Sequence, residues 1–296
     1  SNLASGFTEA EMIVAGEAEW ESADELKSES GRTMHVILKT LPKGVRGANT
    51  WRMLCAPLLA LRVRKLIKQN GCKQVLTVFP DETFLFAGWW ASRLTKTEFF
   101  PYFHNTYLDN RTGFKAKIAS WLQKRVFRDA KEVFVMSDGM LDFYKRRYPE
   151  LKNCKSLRHS MVEVLPEFES LPVPNLEPKF IMAGNMNESC LDAARRMSEV
   201  VSQVPGAHLQ FCSGLPQSHY ESHGLWNGSC SLNYFSTEEF IEQITASDIL
   251  LLPHGLTGSR DAVEYETIFP TRTIEYLISG RPILAHSPKG SYLSQF

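Results

Sequence analysis

What the chain lacks narrows it first. Its 296 residues contain no apolar run of the roughly 18 needed to cross a bilayer; the densest patch, "FLFAGWWA" at 84–91, is far too short. The six cysteines, Cys55, Cys72, Cys154, Cys190, Cys212 and Cys230, are scattered with no C-x-x-C pair. That pattern argues against a zinc or disulfide framework and for a reduced, cytoplasmic chain. No Asp-x-Asp motif stands at a strand end, so no metal is expected, nor any other cofactor. Basic residues come with no ladder of stacking aromatics, which gives no ground for a nucleic-acid partner. Short-period repeats are missing as well.

Net charge is also missing, with 33 basic and 33 acidic side chains, but the balance hides a division. Residues 1–158 carry 26 Lys+Arg against 17 Asp+Glu, and residues 159–296 carry 7 against 16. Such a split fits two domains that meet different partners, or two halves that dock on each other.

What is there is alternation. In the first half "TMHVILKTL" (33–41), "QVLTVF" (74–79), "EFFPYFH" (98–104) and "EVFVMS" (132–137) read as strands. Helical patterns at 50–71, 83–95, 113–130 and 138–148 follow them, the first stopped by Gly71. Pro101 predicts an edge or a bend in its strand. Four prolines between 166 and 178 mark a linker. After it the order resumes: strand 179–184, helix 190–204, strand 208–214, helix 236–247, strand 248–254, helix 271–279 and strand 282–286. This predicts two doubly wound, Rossmann-like α/β domains with parallel sheets: residues 1–162, a linker at 163–178, and residues 179–296. The first 30 residues hold no convincing first strand, and the last strand is followed by ten residues. A fragment is therefore expected, with an N-terminal strand missing and the C-terminal domain incomplete.

In open α/β sheets ligands gather at the carboxyl ends of strands. Gly184, Asn185 and Asn187 lie between a strand and a helix, where backbone can approach an anion, although a plain strand–helix turn reads the same way. His254 and Gly255 follow another strand and open a stretch read as a loop as far as Phe269. "FPTRTIEYLISG" is the most specific element. Thr271 is placed to cap a helix, the amides of Thr271, Arg272 and Thr273 to face an anion, and Glu275 to accept both hydroxyls of a ribose. An ordinary capped helix with an exposed glutamate would look alike.

The segment "ASDILLLPH…FPTRTIEYLISGRPILAHSP" resembles the donor-binding region of GT-B glycosyltransferases, particularly the retaining family-four type. "KFIMAG…LDAARRM" and "VFVMSDGM" are similar to two other strand–turn–helix units of that family. The resemblance implies two Rossmann-like domains facing a cleft. It implies a metal-independent transfer of sugar from a nucleotide-diphosphate sugar to a glycan or lipid-linked acceptor, in polysaccharide or cell-envelope glycan synthesis. Glu275 would hold the ribose, residues 271–273 would face the phosphates, and His104 would stand near the transferred sugar. Two positions depart from the family pattern. Thr267 stands eight residues before Glu275, where the family has a glutamate, with Glu266 adjacent; and Asn185–Met186 replace a basic residue, a charge Arg272 could supply. These departures keep open a catalytically silent sugar-nucleotide-binding relative, and a sugar-nucleotide epimerase is a further alternative. The basic amphipathic helix 113–130, with Phe114, Ile118, Trp121, Leu122 and Val126 on one face, reads as a core helix or as a contact to an anionic membrane surface. Sequons occur at Asn110, Asn187 and Asn227. A glycan on Asn187 would block a phosphate-facing turn, which points to the cytoplasm, with a peripheral position at the inner membrane face.

Overall fold

The computed structural model describes residues 7–8, 11–19, 25–27, 33–40, 48–158, 175–256 and 262–296. Most of the Pro-rich linker, residues 163–174, lies outside them. The chain divides into two compact units, residues 1–136 with 140–158, and residues 137–139 with 159–296.

The first unit opens with β1 (Val14–Glu19), β2 (Glu25–Lys27) and β3 (Thr33–Thr40), in the order β1-β3-β2. Two of these fall where the sequence shows no convincing strand. "VAGEAE" has few strand-forming residues, but it pairs in parallel with β3 along its length, and such pairing overrides weak propensity. Helix α1 (Ala48–Asn70) ends at Gly71, whose φ of +62° is the left-handed turn a glycine takes freely. Then come β4 (Gln74–Phe79), α2 (Glu82–Thr95), β5 (Glu98–Phe103), α3 (Gly113–Asp129), β6 (Val133–Val135), α4 (Asp138–Arg147) and β7 (Cys154–Ser156). The four strands form a parallel sheet in the order β4-β5-β6-β7. Strand β5 is thus interior, not the edge Pro101 suggested. The carbonyls of Phe99 and Phe103 face β6, so Pro101 turns its missing N–H the same way, and β5 pairs in register with β6 only from Tyr102 onward. Alternate residues Val75, Phe79, Phe99, Phe103, Val133 and Val135 join one core with α2, α3 and α4. On the opposite face Leu76 and Val78 are 37% and 39% exposed.

In the second unit the chain runs β8 (Lys179–Ala183), α5 (Leu191–Ser202), β9 (His208–Cys212), α6 (Gln217–Ser222), β10 (Cys230–Asn233), α7 (Thr237–Thr245) and β11 (Ile249–Pro253). It continues through α8 (Ala262–Thr267), α9 (Arg272–Ile278), β12 (Ile283–His286) and α10 (Tyr292–Gln295). Helices α6, α8 and α10 and strand β10 escape the sequence pattern. All five strands are parallel, in the order β10-β9-β8-β11-β12. Strand order reverses between β8 and β11, which makes their carboxyl ends the switch point of a doubly wound sheet. Period-two alternation fills both faces: Phe180, Met182, Leu209, Phe211 and Leu251 enter one core, and Ile181, Ala183, Leu250 and Leu252 the other.

Among the described residues no helix is long and apolar enough to cross a membrane. In α3 the face read as amphipathic is divided. Leu122 and Val126 are buried, Phe114 is 75% exposed, and Trp121 is part-exposed under the Arg125 guanidinium, 4.2 Å from its ring centre.

Candidate functional site

At the end of β8 the backbone of Gly184 adopts φ +99°, a conformation strained for any side chain. Arg272, the first residue of α9, lies over it: a Cβ on Gly184 would stand 3.6 Å from Arg272 Nε. The guanidinium carbon lies 5.2 Å from the ring centre of Phe240 in α7, within cation–π range. Its Nη1 donates to Glu275 Oε2 at 2.7 Å, one helical turn on. Both side chains remain part-exposed. Gly184, Arg272 and Glu275 therefore meet at the switch point, with an arginine aligned on an aromatic face and a carboxylate beside it.

The other residues singled out in the sequence have their own local bonds and packing. Thr271 is itself helical (φ −59°, ψ −32°) and its side chain caps nothing. The amide of Thr273 donates to Pro270 O at 3.0 Å, so it does not face an anion, and its side chain is buried. Of the three amides read as facing an anion, that of Thr273 is therefore already bonded, and the positive charge at the start of the helix belongs to Arg272. Asn187 is exposed and bonds within its own loop, its Oδ1 accepting from Ser189 N at 3.0 Å and Ser189 Oγ at 2.5 Å. Asn185 Oδ1 accepts from Ser213 Oγ at 2.9 Å.

His254 is a buried structural histidine. Its Nε2 lies 2.8 Å from Tyr265 O, a contact only an N–H makes, and its ring is packed against α8. Burial pulls its pKa below the ordinary value, only partly opposed by the Tyr265 carbonyl and Asp192. Gly255 is required by packing: its amide donates to Ser189 O at 2.9 Å, and a Cβ there would run into Asp192 Oδ1 and Ser189 O. In α8, which replaces part of the loop read from sequence, Glu266 is exposed while Glu264 is buried. Thr267, at the position eight before Glu275, is buried with its hydroxyl donating to Val263 O at 2.8 Å. His104 lies in the first unit, where its ring meets Tyr102 edge-on, centroids 4.4 Å apart. Burial raises the thiols of Cys190 and Cys212 to about 11 and about 12, which keeps both protonated and un-nucleophilic near neutral pH. Among the described residues no group of three or more His, Cys, Asp or Glu side chains could hold a metal ion.

Two residues of the site went unread in the sequence, Phe240 and Tyr276. Tyr276 is fully buried, its hydroxyl accepting from Ala183 N and donating to Leu251 O. A tyrosine on the apolar face of a helix gives one faint signal, since a buried phenol needs a polar partner.

No family model matches the chain, and no curated protein does. Solved structures do. Sucrose-phosphate synthase from Thermosynechococcus elongatus superposes with a TM-score of 0.64 over 91% of this chain and 69% of its own, at 13% identity. The fold is the GT-B fold. A glycosyltransferase from Rickettsia africae gives 0.51 over 84% of this chain and 65% of its own, at 14% identity. Anabaena HepE, in complex with UDP and glucose, gives 0.54 over 87% and 68%, at 13% identity. The chain thus spans about two-thirds of the length of these GT-B structures.

Proposed function

We propose that this chain is a glycosyltransferase that binds a nucleotide-diphosphate sugar on its second unit and passes the sugar on. The observation that carries the reading is the Arg272–Glu275 pair above Gly184 at the β8/β11 switch point. A guanidinium there suits a diphosphate, and a carboxylate one turn away suits the two hydroxyls of a ribose. Developing charge on the departing diphosphate would be met by Arg272, whose position is preset by Phe240 and Glu275. The finer features follow the family-four resemblance: retention of configuration, no metal, His104 near the transferred sugar, and a glycan or lipid-linked acceptor on the first unit. Work in polysaccharide or cell-envelope glycan synthesis, in the cytoplasm or at the inner membrane face with α3 against anionic lipid, belongs to the same proposal.

Calorimetry with UDP, followed by a panel of nucleotide sugars, tests it. Arg272→Ala is expected to weaken UDP binding about 10- to 100-fold, the size of one lost charge-assisted hydrogen bond, and Glu275→Ala about tenfold. Unchanged binding and turnover in both variants would sink the reading. A second reading is a relative that binds the sugar nucleotide without turning it over. Thr267 favours it, because a neutral and internally bonded side chain occupies the register of the family's first glutamate. Tight binding with no transfer across the panel would select it.

A further inference from the structure

The hydroxyl of Tyr276 lies inside the sheet. Strands β8 and β11 pair in register from Phe180–Ile249 to Met182–Leu251, and their ladder stops there. The next amide, Ala183 N, donates to Tyr276 Oη at 2.8 Å, and that hydroxyl donates to Leu251 O at 3.2 Å. One phenol therefore stands in for a backbone rung at the point where strand order reverses. The following amide, Gly184 N, bonds the other way, to Cys212 O of β9 at 2.9 Å.

We propose that Tyr276 is a positioning residue, whose hydroxyl holds β8 and β11 one oxygen apart at the crevice and pins α9 so that Arg272 stands over Gly184. Helix α9 has seven residues and no side-chain cap, so it cannot fix its own orientation. Tyr276 follows Glu275 directly and lies four residues after Arg272, so two bonds on its hydroxyl set the height and rotation of both. Phenylalanine would fill the same volume in the core that holds Phe240 and Ile244, but it could not bridge the strands. The role in binding rests on the donor reading above; the rung itself does not.

Tyr276→Phe in the full chain separates the two, with Ile244→Val as a variant that loosens the same core without touching the rung. Residue-resolved hydrogen exchange of the ligand-free protein should show Ala183 exchanging at least tenfold faster in Tyr276→Phe, with Phe211 unchanged. Calorimetry at a temperature where all variants are folded should show UDP binding at least tenfold weaker in Tyr276→Phe and unaltered in Ile244→Val. Unchanged exchange at Ala183 overturns the rung. Faster exchange with wild-type UDP affinity overturns the positioning role and leaves the donor reading intact. Equal loss of affinity in both variants reduces the effect to general loosening and overturns it too. If the wild-type chain does not bind UDP, the donor reading falls and takes the positioning role with it, while exchange still decides the rung.

Discussion

The two units are written in the same strand–helix grammar and finish differently. In the second, five parallel strands share one ladder and bury apolar side chains on both faces. In the first, the described strands fall into two separate sheets, and the parallel one has a packed face and a face with Leu76 and Val78 part-exposed. A parallel sheet normally lies between two layers, and β4, the edge strand of this one, keeps a second face that the described residues leave half covered. Local pattern makes a strand; its neighbours decide whether that strand is core.

The sharpest way to break this comparison is to remove the same side chain from each sheet. Leu250→Ala, in the fully buried centre of β11, is expected to cost about 3 kcal/mol. Leu76→Ala in β4 should cost under about 1 kcal/mol, because much of that side chain already meets solvent. Urea unfolding of the full chain measures both, and equal losses would show that the two sheet faces are alike. Gly255→Ala comes next. Its Cβ would press on Ser189 O, a backbone atom that cannot swing aside, so destabilisation of about 1–3 kcal/mol is expected. A neutral result in the same titration would mean that the loop after β11 adapts more easily than its hydrogen bonds suggest.

The smallest effect tests where the units agree. Asp248, just before β11, is partly desolvated, which raises its pKa. Bonds from Lys179 N and from Asn175 outweigh that and hold it below the usual carboxylate value. Asp129, at the end of α3, is likewise lowered on balance by Arg128 and Trp89 despite its partial burial. A depressed folded pKa stabilises above the unfolded value of about 3.9, and that share is lost as pH falls through the folded pKa. Asp248→Asn and Asp129→Asn should each lose less stability than wild type between pH 7 and the acid limb. Urea midpoints across that range check the slope.

The sequence was most legible where a signal is local and periodic. Alternation in 179–183 and 249–252 places Phe180, Met182 and Leu251 opposite Ile181 and Leu250, as the two cores require. Arg272 and Glu275 fall together on the first turn of α9, as a helix start read from a few residues predicts. What depends on distant pairing was hidden. Strand β1 exists through β3. Helix α8 covers His254, whose burial no spacing announces. The failed cap at Thr271 has another cause: capping needs extended backbone, and the Pro270–Thr271 turn is already helical.

The mutual grip of Arg272 and Glu275 has a consequence for selectivity. With nothing bound, each charge already has its counterion. On the donor reading proposed above, a ligand that offers only an anion would take the arginine and leave the carboxylate alone, and one that offers only hydroxyls would do the reverse. On that reading the pair would work as a two-input gate, opened at least cost by a molecule that presents both groups at once, so inorganic phosphate and a bare nucleoside would each meet a penalty that a nucleoside diphosphate would not.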